Sequence, residues 1–187
     1  MKNLKTLALA LLVSFSASMN AQTKKIDASK STINWIGKKV TGEHSGTVNL
    51  KEGSLVFKKK KLVGGTFTVD MTTMTATDLT GEYQGKLNGH LKSDDFFGTD
   101  KFETSTLVFK KIAVKAGGIY TITGDLTIKG IKESITFDLV TTTNSATTSL
   151  KIDRTKYGIK YGSGSFFDNL GDKAIANEFE LKVALVF

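Results

Sequence analysis

An all-β chain, folded as an antiparallel sandwich or barrel with one short helix, is predicted by three observations. Apolar and polar residues alternate through most of the sequence, as in Tyr120-Thr121-Ile122-Thr123-Gly124-Asp125-Leu126-Thr127-Ile128, and period two gives a strand one apolar face. Thr and Val, which suit a pleated and half-buried surface, are abundant. Turn-like breaks recur at about ten-residue spacing with short connections, which favours hairpins over βαβ units.

The expected strands cover approximately 31–38, 44–50, 53–59, 63–71, 102–112, 118–129, 132–142, 147–154 and 177–187. The period-two beat runs through Phe67-Val69-Met71, Leu107-Phe109, Ile135-Phe137-Leu139, Leu150-Ile152 and Phe179-Leu181-Val183-Leu185-Phe187. Glu52-Gly53, Gly64-Gly65, Gly117-Gly118 and Thr143-Asn144-Ser145 are expected to break the runs. One segment departs from the pattern. Between Thr77 and Leu91, the apolar residues Leu79, Tyr83, Leu87 and Leu91 recur every four positions, which predicts an amphipathic helix capped by Thr77 or Asp78. The stretch 155–176, rich in Gly, Ser and Asp, is expected to be a long loop with a short helix.

Composition narrows the function classes. The 187 residues include no cysteine and no proline and carry a net charge of +8. Without cysteine there is no disulfide framework, Fe–S or thiolate-zinc site, cysteine nucleophile or acylated lipoprotein cysteine. Residues 1–21 read as a signal peptide: Lys2 and Lys5 precede the apolar Leu7–Phe15 stretch, which is too short to span a bilayer, and Ala21 offers a small residue before Gln22. The expected mature domain, 22–187, is therefore exported. Removing Lys2 and Lys5 leaves 24 basic and 18 acidic residues, a net +6. No later stretch approaches the ~18 apolar residues of a transmembrane helix.

Catalytic motifs fail on their spacing. Gly42-Glu43-His44-Ser45-Gly46 places serine one position too late for a nucleophile elbow and leads into a strand. Gly81 to Lys86 lacks the pattern of a phosphate-binding loop, and Gly162-Ser163-Gly164 has no strand–helix context. The two histidines, His44 and His90, lack metal-ligand spacing and read as hydrogen-bonded turn residues. No catalytic residue, metal or cofactor is expected. The run Lys58-Lys59-Lys60-Lys61 reads as a solvated hairpin turn, and the phenylalanines share faces with Leu and Val, so no nucleic-acid partner is expected.

Alternation does not say which way the apolar face points. Pointing inward, it gives a barrel that is filled or holds an apolar ligand. Pointing outward, it gives an outer-membrane barrel, for which the terminal Phe179–Phe187 pattern speaks. One Trp and four Tyr are few for the aromatic girdles of that class, so the inward reading is favoured. A hydrolase using His44 or His90 is a further alternative.

Four blocks carry a resemblance: Trp35-x-Gly37-x-x-x-x-Gly42-x-His44-x-Gly46, Gly64-Gly65-x-Phe67-x-Val69-Asp70-Met71, Leu87-x-Gly89-His90-Leu91-Lys92-Ser93-x-Asp95-Phe96-Phe97, and Ile122-x-Gly124-Asp125-Leu126-Thr127-Ile128-Lys129-Gly130. Together they resemble the YceI family of lipocalin-like proteins over about 26–187. The resemblance implies an antiparallel lipocalin-like β-barrel with a long apolar tunnel that holds a polyisoprenoid, quinone-like or fatty-acyl chain. It also implies a periplasmic or secreted binding protein, not an enzyme, and often a homodimer. Family members often have Tyr-Pro where this chain has Phe102-Glu103, and Pro where it has Ser134.

The residues agree with such a pocket. Phe67, Val69, Leu107, Phe109, Ile122, Leu126, Phe137, Leu139, Ile152, Phe179, Leu181 and Val183 are expected to line one face, around a tunnel or a dry core. His44, His90 and Lys92 are candidates for a mouth or headgroup contact. Ser93 and Asp95 are expected to cap short turns, with Phe96 and Phe97 plugging one end.

Overall fold

The computed structural model describes residues 21–187; the expected signal segment, Ala21 apart, lies outside them. The described elements run β1 (Gln22–Lys25), β2 (Thr32–Lys39), β3 (Gly42–Lys58), β4 (Lys61–Ala76), α1 (Gly81–Lys92), β5 (Thr104–Val114), β6 (Ile119–Ile128), β7 (Ile131–Thr141), β8 (Ser145–Asp153) and β9 (Ile175–Val186). Strands β2 to β9 form an antiparallel barrel of eight strands in the order β3-β2-β9-β8-β7-β6-β5-β4, closed by the β3–β4 pairing. Closure leaves the ring without a free edge.

The expected strands 44–50 and 53–59 are two halves of the single 17-residue β3. Its register with β4 shifts between Leu50 and Glu52 instead of turning. Nor does Gly64-Gly65 end a strand. Both expected breaks are places of close packing: a Cβ on Gly53 would stand 2.7 Å from the Phe67 ring, and one on Gly65 would stand 2.7 Å from the Phe109 ring. Glycine in a strand interior here marks the approach of another side chain. The far half of β3, Ser54–Phe57, pairs with β1, a strand too short and polar for alternation to reveal.

The lysine run does form a two-residue hairpin. Lys58 pairs with Lys61, and Lys59 and Lys60 take φ of 50° and 64°, the left-handed pair that such a turn demands. The helix starts later than the spacing predicts, at Gly81, with Thr80 at the cap position and no side-chain cap bond. The expected cap residues are engaged elsewhere: the Thr77 amide donates to the Ser45 carbonyl, and Asp78 accepts from His44 and Ser45. The 155–176 region holds two one-turn 3-10 helices, Arg154–Tyr157 and Gly171–Lys173.

The apolar alternate set faces inward. Along β6, Tyr120, Ile122, Leu126 and Ile128 are buried, while Thr121, Thr123, Asp125 and Thr127 look outward. That is the reverse of a membrane barrel, whose apolar band faces lipid. The end near the Lys59-Lys60 turn is filled by Ile26, Leu55, Leu62, Tyr120 and Ile122, and the Leu62 amide donates to the Tyr120 hydroxyl at 3.3 Å. At the opposite end stand α1, Phe96, Phe97, Tyr157 and Ile159.

Candidate functional site

Between these two ends the barrel is hollow. The cavity has a volume of about 180 Å³. A single water needs ~10–15 Å³, so this is no packing defect. All eight barrel strands contribute to a wall that is almost wholly apolar. Such a surface offers a ligand burial and shape, with little to read chemically.

Eleven of the twelve expected residues stand on the wall: Phe67 and Val69 from β4, Leu107 and Phe109 from β5, Leu126 from β6, Phe137 and Leu139 from β7, Ile152 from β8, and Phe179, Leu181 and Val183 from β9. Phe67 and Phe109 have ring centroids 5.5 Å apart, and Phe109 meets Phe137 edge-on at 6.1 Å. Ile122 is the correction. It is fully buried but lies off the wall, in the filled layer beside Tyr120. The next inward position of β6 is Gly124, which has no side chain, and Leu107 reaches to within 3.1 Å of its Cβ position.

The wall also holds Trp35, Val48, Leu50, Met71 and Met74 from β2, β3 and β4. Alternation in those strands carries the signal for them, although glycines dilute it. Phe96 and Phe97 close the α1 end as expected, with Leu91 beside them on the wall. The lining extends to Lys38 and Glu178, whose side chains are 61% and 59% exposed. Here the β2–β9 register shifts between Gly37 and Lys39, and a bulge of this kind parts two strands locally.

The three polar candidates do not line the cavity. His90 is stacked edge-on between Phe96 and Tyr161, at centroid distances of 5.0 and 4.5 Å. Lys92 offers its backbone carbonyl to the Thr99 amide, at the end of α1. His44 fixes the chain that leads into α1, through Nδ1 to the Asp78 carboxylate at 2.8 Å. The same helix is tied to β4 by Asn88 and Gln84, which bond the backbone of Ala76 at 2.8 and 2.7 Å. Among the described residues, no three His, Asp or Glu side chains converge as metal ligands would.

Burial alone would raise the Asp78 carboxyl, but hydrogen bonds from His44 and the Ser45 amide outweigh it and hold the group below its ordinary 3.8. A depressed folded-state pKa contributes stability that is present above the unfolded value and lost as pH falls through the folded one. His44→Ala is therefore expected to move the Asp78 midpoint up towards 3.8, followed by carboxyl NMR, and to speed amide exchange at residues 77–80. An unmoved midpoint contradicts the role given to the His44–Asp78 bond.

Two buried polar groups have no precedent in the strand pattern. Arg154 stands on the cavity wall, only 2% exposed, where burial pushes its guanidinium below the ordinary value against the opposing pull of Asp153. It keeps its charge, because the ordinary value is so high. Tyr157, one turn on, is buried with its hydroxyl unbonded among the described residues, and burial helped by Glu133 and Asp153 pushes it up to about 12. Arg154 ends the expected strand 147–154 and Tyr157 lies in the expected loop 155–176, and nothing local announces the burial of either polar group.

A model of the YceI-like domain matches residues 25–187. A UPF0312 protein of Staphylococcus aureus (strain USA300) is 48% identical over 52 residues, and the match spans 28% of this chain and 28% of that protein's length. Among solved structures, Burkholderia cenocepacia BcnA superposes with a TM-score of 0.67 at 23% identity, covering 87% of this chain and 99% of that one. A polyisoprenoid binding domain from Saccharophagus degradans, implicated in plant cell wall breakdown, gives 0.58 at 15% identity, covering 86% and 95%. The Campylobacter jejuni YCEI protein gives 0.52 at 20% identity, covering 73% and 82%. At these identities the likeness is one of fold.

Proposed function

The chain belongs to the YceI-like domain family, and from that premise we propose that it binds one long apolar chain inside its barrel, as a carrier or sequestering protein and not as an enzyme. The observation that carries this reading is the hollow, almost wholly apolar interior walled by all eight strands. A polyisoprenoid, a quinone-like molecule or a fatty-acyl chain has the shape to occupy it. The Saccharophagus degradans domain, described as polyisoprenoid binding, supports the first of these. Each methylene removed from water contributes about 0.8 kcal/mol, so a five-carbon isoprene unit contributes roughly 3–4. Ordering of the flexible chain offsets part of that. Export belongs to the same reading, on the strength of Lys2, Lys5 and the Leu7–Phe15 stretch.

Trp35, the one tryptophan of the chain, stands on the cavity wall with its indole N–H donating to the Thr47 carbonyl at 3.2 Å. Its fluorescence is therefore an internal reporter. Titration with geranylgeraniol is expected to give a saturable change at one molecule per chain, and a dibrominated stearate is expected to quench it. A signal unmoved by either molecule contradicts the proposal.

A further inference from the structure

The cavity wall contains one buried charge, and its hydrogen bonds are incomplete. Arg154 Nε donates to the Ala176 carbonyl at 3.0 Å, Nη1 to Ile159 at 2.9 Å and Nη2 to Ile175 at 3.1 Å. Its guanidinium carbon lies 5.4 Å from the centre of the Phe96 ring. A guanidinium has five N–H donors. The three bonds leave one donor on Nη1 and one on Nη2. Among the described residues, no carboxylate forms an ion pair with it. Backbone carbonyls satisfy donors but do not neutralise charge, and an uncompensated charge away from water is costly.

A second polar group on the same wall also lacks a partner. Ser105 is 6% exposed, and its Oγ has no hydrogen-bond partner among the described residues. Ser105 opens the inward face of β5 one pair beyond Thr106, which faces Thr127 of β6. That places it beside Ile128, at the Lys129 turn, and Lys129 donates to the Phe96 carbonyl at 2.8 Å. Arg154 stands over the Phe96 ring. Both groups thus belong to the α1 end of an otherwise apolar space. Two of the three carbonyls that hold Arg154 are those of Ile175 and Ala176 at the start of β9, close in sequence to Glu178 on the cavity wall, whose carboxylate turns to Lys151 at 3.7 Å.

Building on the long-chain reading, we propose that the ligand ends in an oxyanion, a carboxylate or a phosphate monoester, received by the two remaining N–H groups of Arg154. One donor on each terminal nitrogen is the set that grips two oxygens at once. The three backbone bonds fix the planar fork beforehand, so little freedom is lost on binding. Ser105 supplies a further hydroxyl near the head, and the tail runs inward past Phe137 and Leu139. Neutral alcohols and quinone-like heads gain from the same tail but leave the charge uncompensated.

The test uses one tail with three heads: oleic acid, oleyl alcohol and oleyl phosphate, each titrated into delipidated protein and followed by Trp35 fluorescence. Wild type is expected to bind the acid, the phosphate or both at least about tenfold more tightly than the alcohol, the scale of hydrogen bonds to a charged group. The tighter of the two anions names the head. Arg154→Lys keeps a charge without the fork and is expected to cut the preference below about threefold, with alcohol binding within about twofold of wild type. Ser105→Ala, which removes only an unbonded hydroxyl, is expected to weaken the anion and spare the alcohol. If Arg154→Lys does not fold, the wild-type series and Ser105→Ala decide. Equal affinity for all three heads in wild type overturns the oxyanion assignment and leaves the long-chain reading intact; binding of none overturns both. Full retention of the preference in Arg154→Lys removes Arg154 from the role.

Discussion

Gly46→Ala is expected to destabilise the barrel by about 3 kcal/mol or more, at the upper end of what overpacking costs. For a chain of this size that lowers the melting temperature by roughly 6–12 °C. A Cβ at this position would lie 2.0 Å from the Thr75 carbonyl oxygen and 2.5 Å from Trp35 Cζ2. The oxygen is backbone and cannot swing aside without disturbing the pairing of Gly46 with Ala76. The indole cannot yield freely either, since Gly46 also pairs with Trp35 across β2 and the indole N–H is held by Thr47. Gly37→Ala is the control, because nothing lies within 4 Å of its Cβ position. Thermal unfolding of both variants checks this. Similar losses at the two sites would mean that the corner of β2, β3 and β4 is looser than its distances imply.

Leu181→Trp is expected to reduce uptake of a long-chain ligand by more than about tenfold while the protein stays folded, since each displaced methylene forfeits about 0.8 kcal/mol. Leu181 stands on the cavity wall, paired with Trp35 on one side and Leu150 on the other, and is only partly buried. The larger ring enters space that is open, so strain is small and the melting temperature changes by a few degrees at most. A barrel whose interior were already filled would respond differently. It would lose about 1–3 kcal/mol to overpacking and have no ligand binding to forfeit. Measuring stability and uptake on the same preparation therefore separates a ligand tunnel from a dry core.

The strand pattern carried most of the barrel because one physical cause, a single buried face, acts on every strand. Phe67-Val69, Phe137-Leu139 and Phe179-Leu181-Val183 all reach the wall by that rule. The rule weakens where glycine interrupts it. Gly53 and Gly65 read as turns, yet each is a strand residue under an aromatic ring supplied by a distant segment. It also cannot measure depth along the barrel axis, so Ile122 shares the parity of Leu126 but falls in the filled layer. Helix α1 showed its period, but not its start. Asp78 is diverted to His44, a partner 34 residues away that no local spacing announces. Arg154 was hidden more completely. It lies just past β8, and three carbonyls from two separate segments draw it inward. Arg154 ends the expected strand 147–154 on the parity of Leu150 and Ile152, but a charged residue at a strand end gives no sign that distant carbonyls will hold it buried.

The occupancy of the barrel is the central matter, and native mass spectrometry of protein purified without detergent addresses it directly. The expected result is a mass increment of one long-chain molecule per chain, identified by organic extraction, or stoichiometric uptake when delipidated protein is offered prenyl and acyl chains. A bare mass in both states, on protein shown to be folded, would contradict a ligand-bearing tunnel and assign the interior to packing alone.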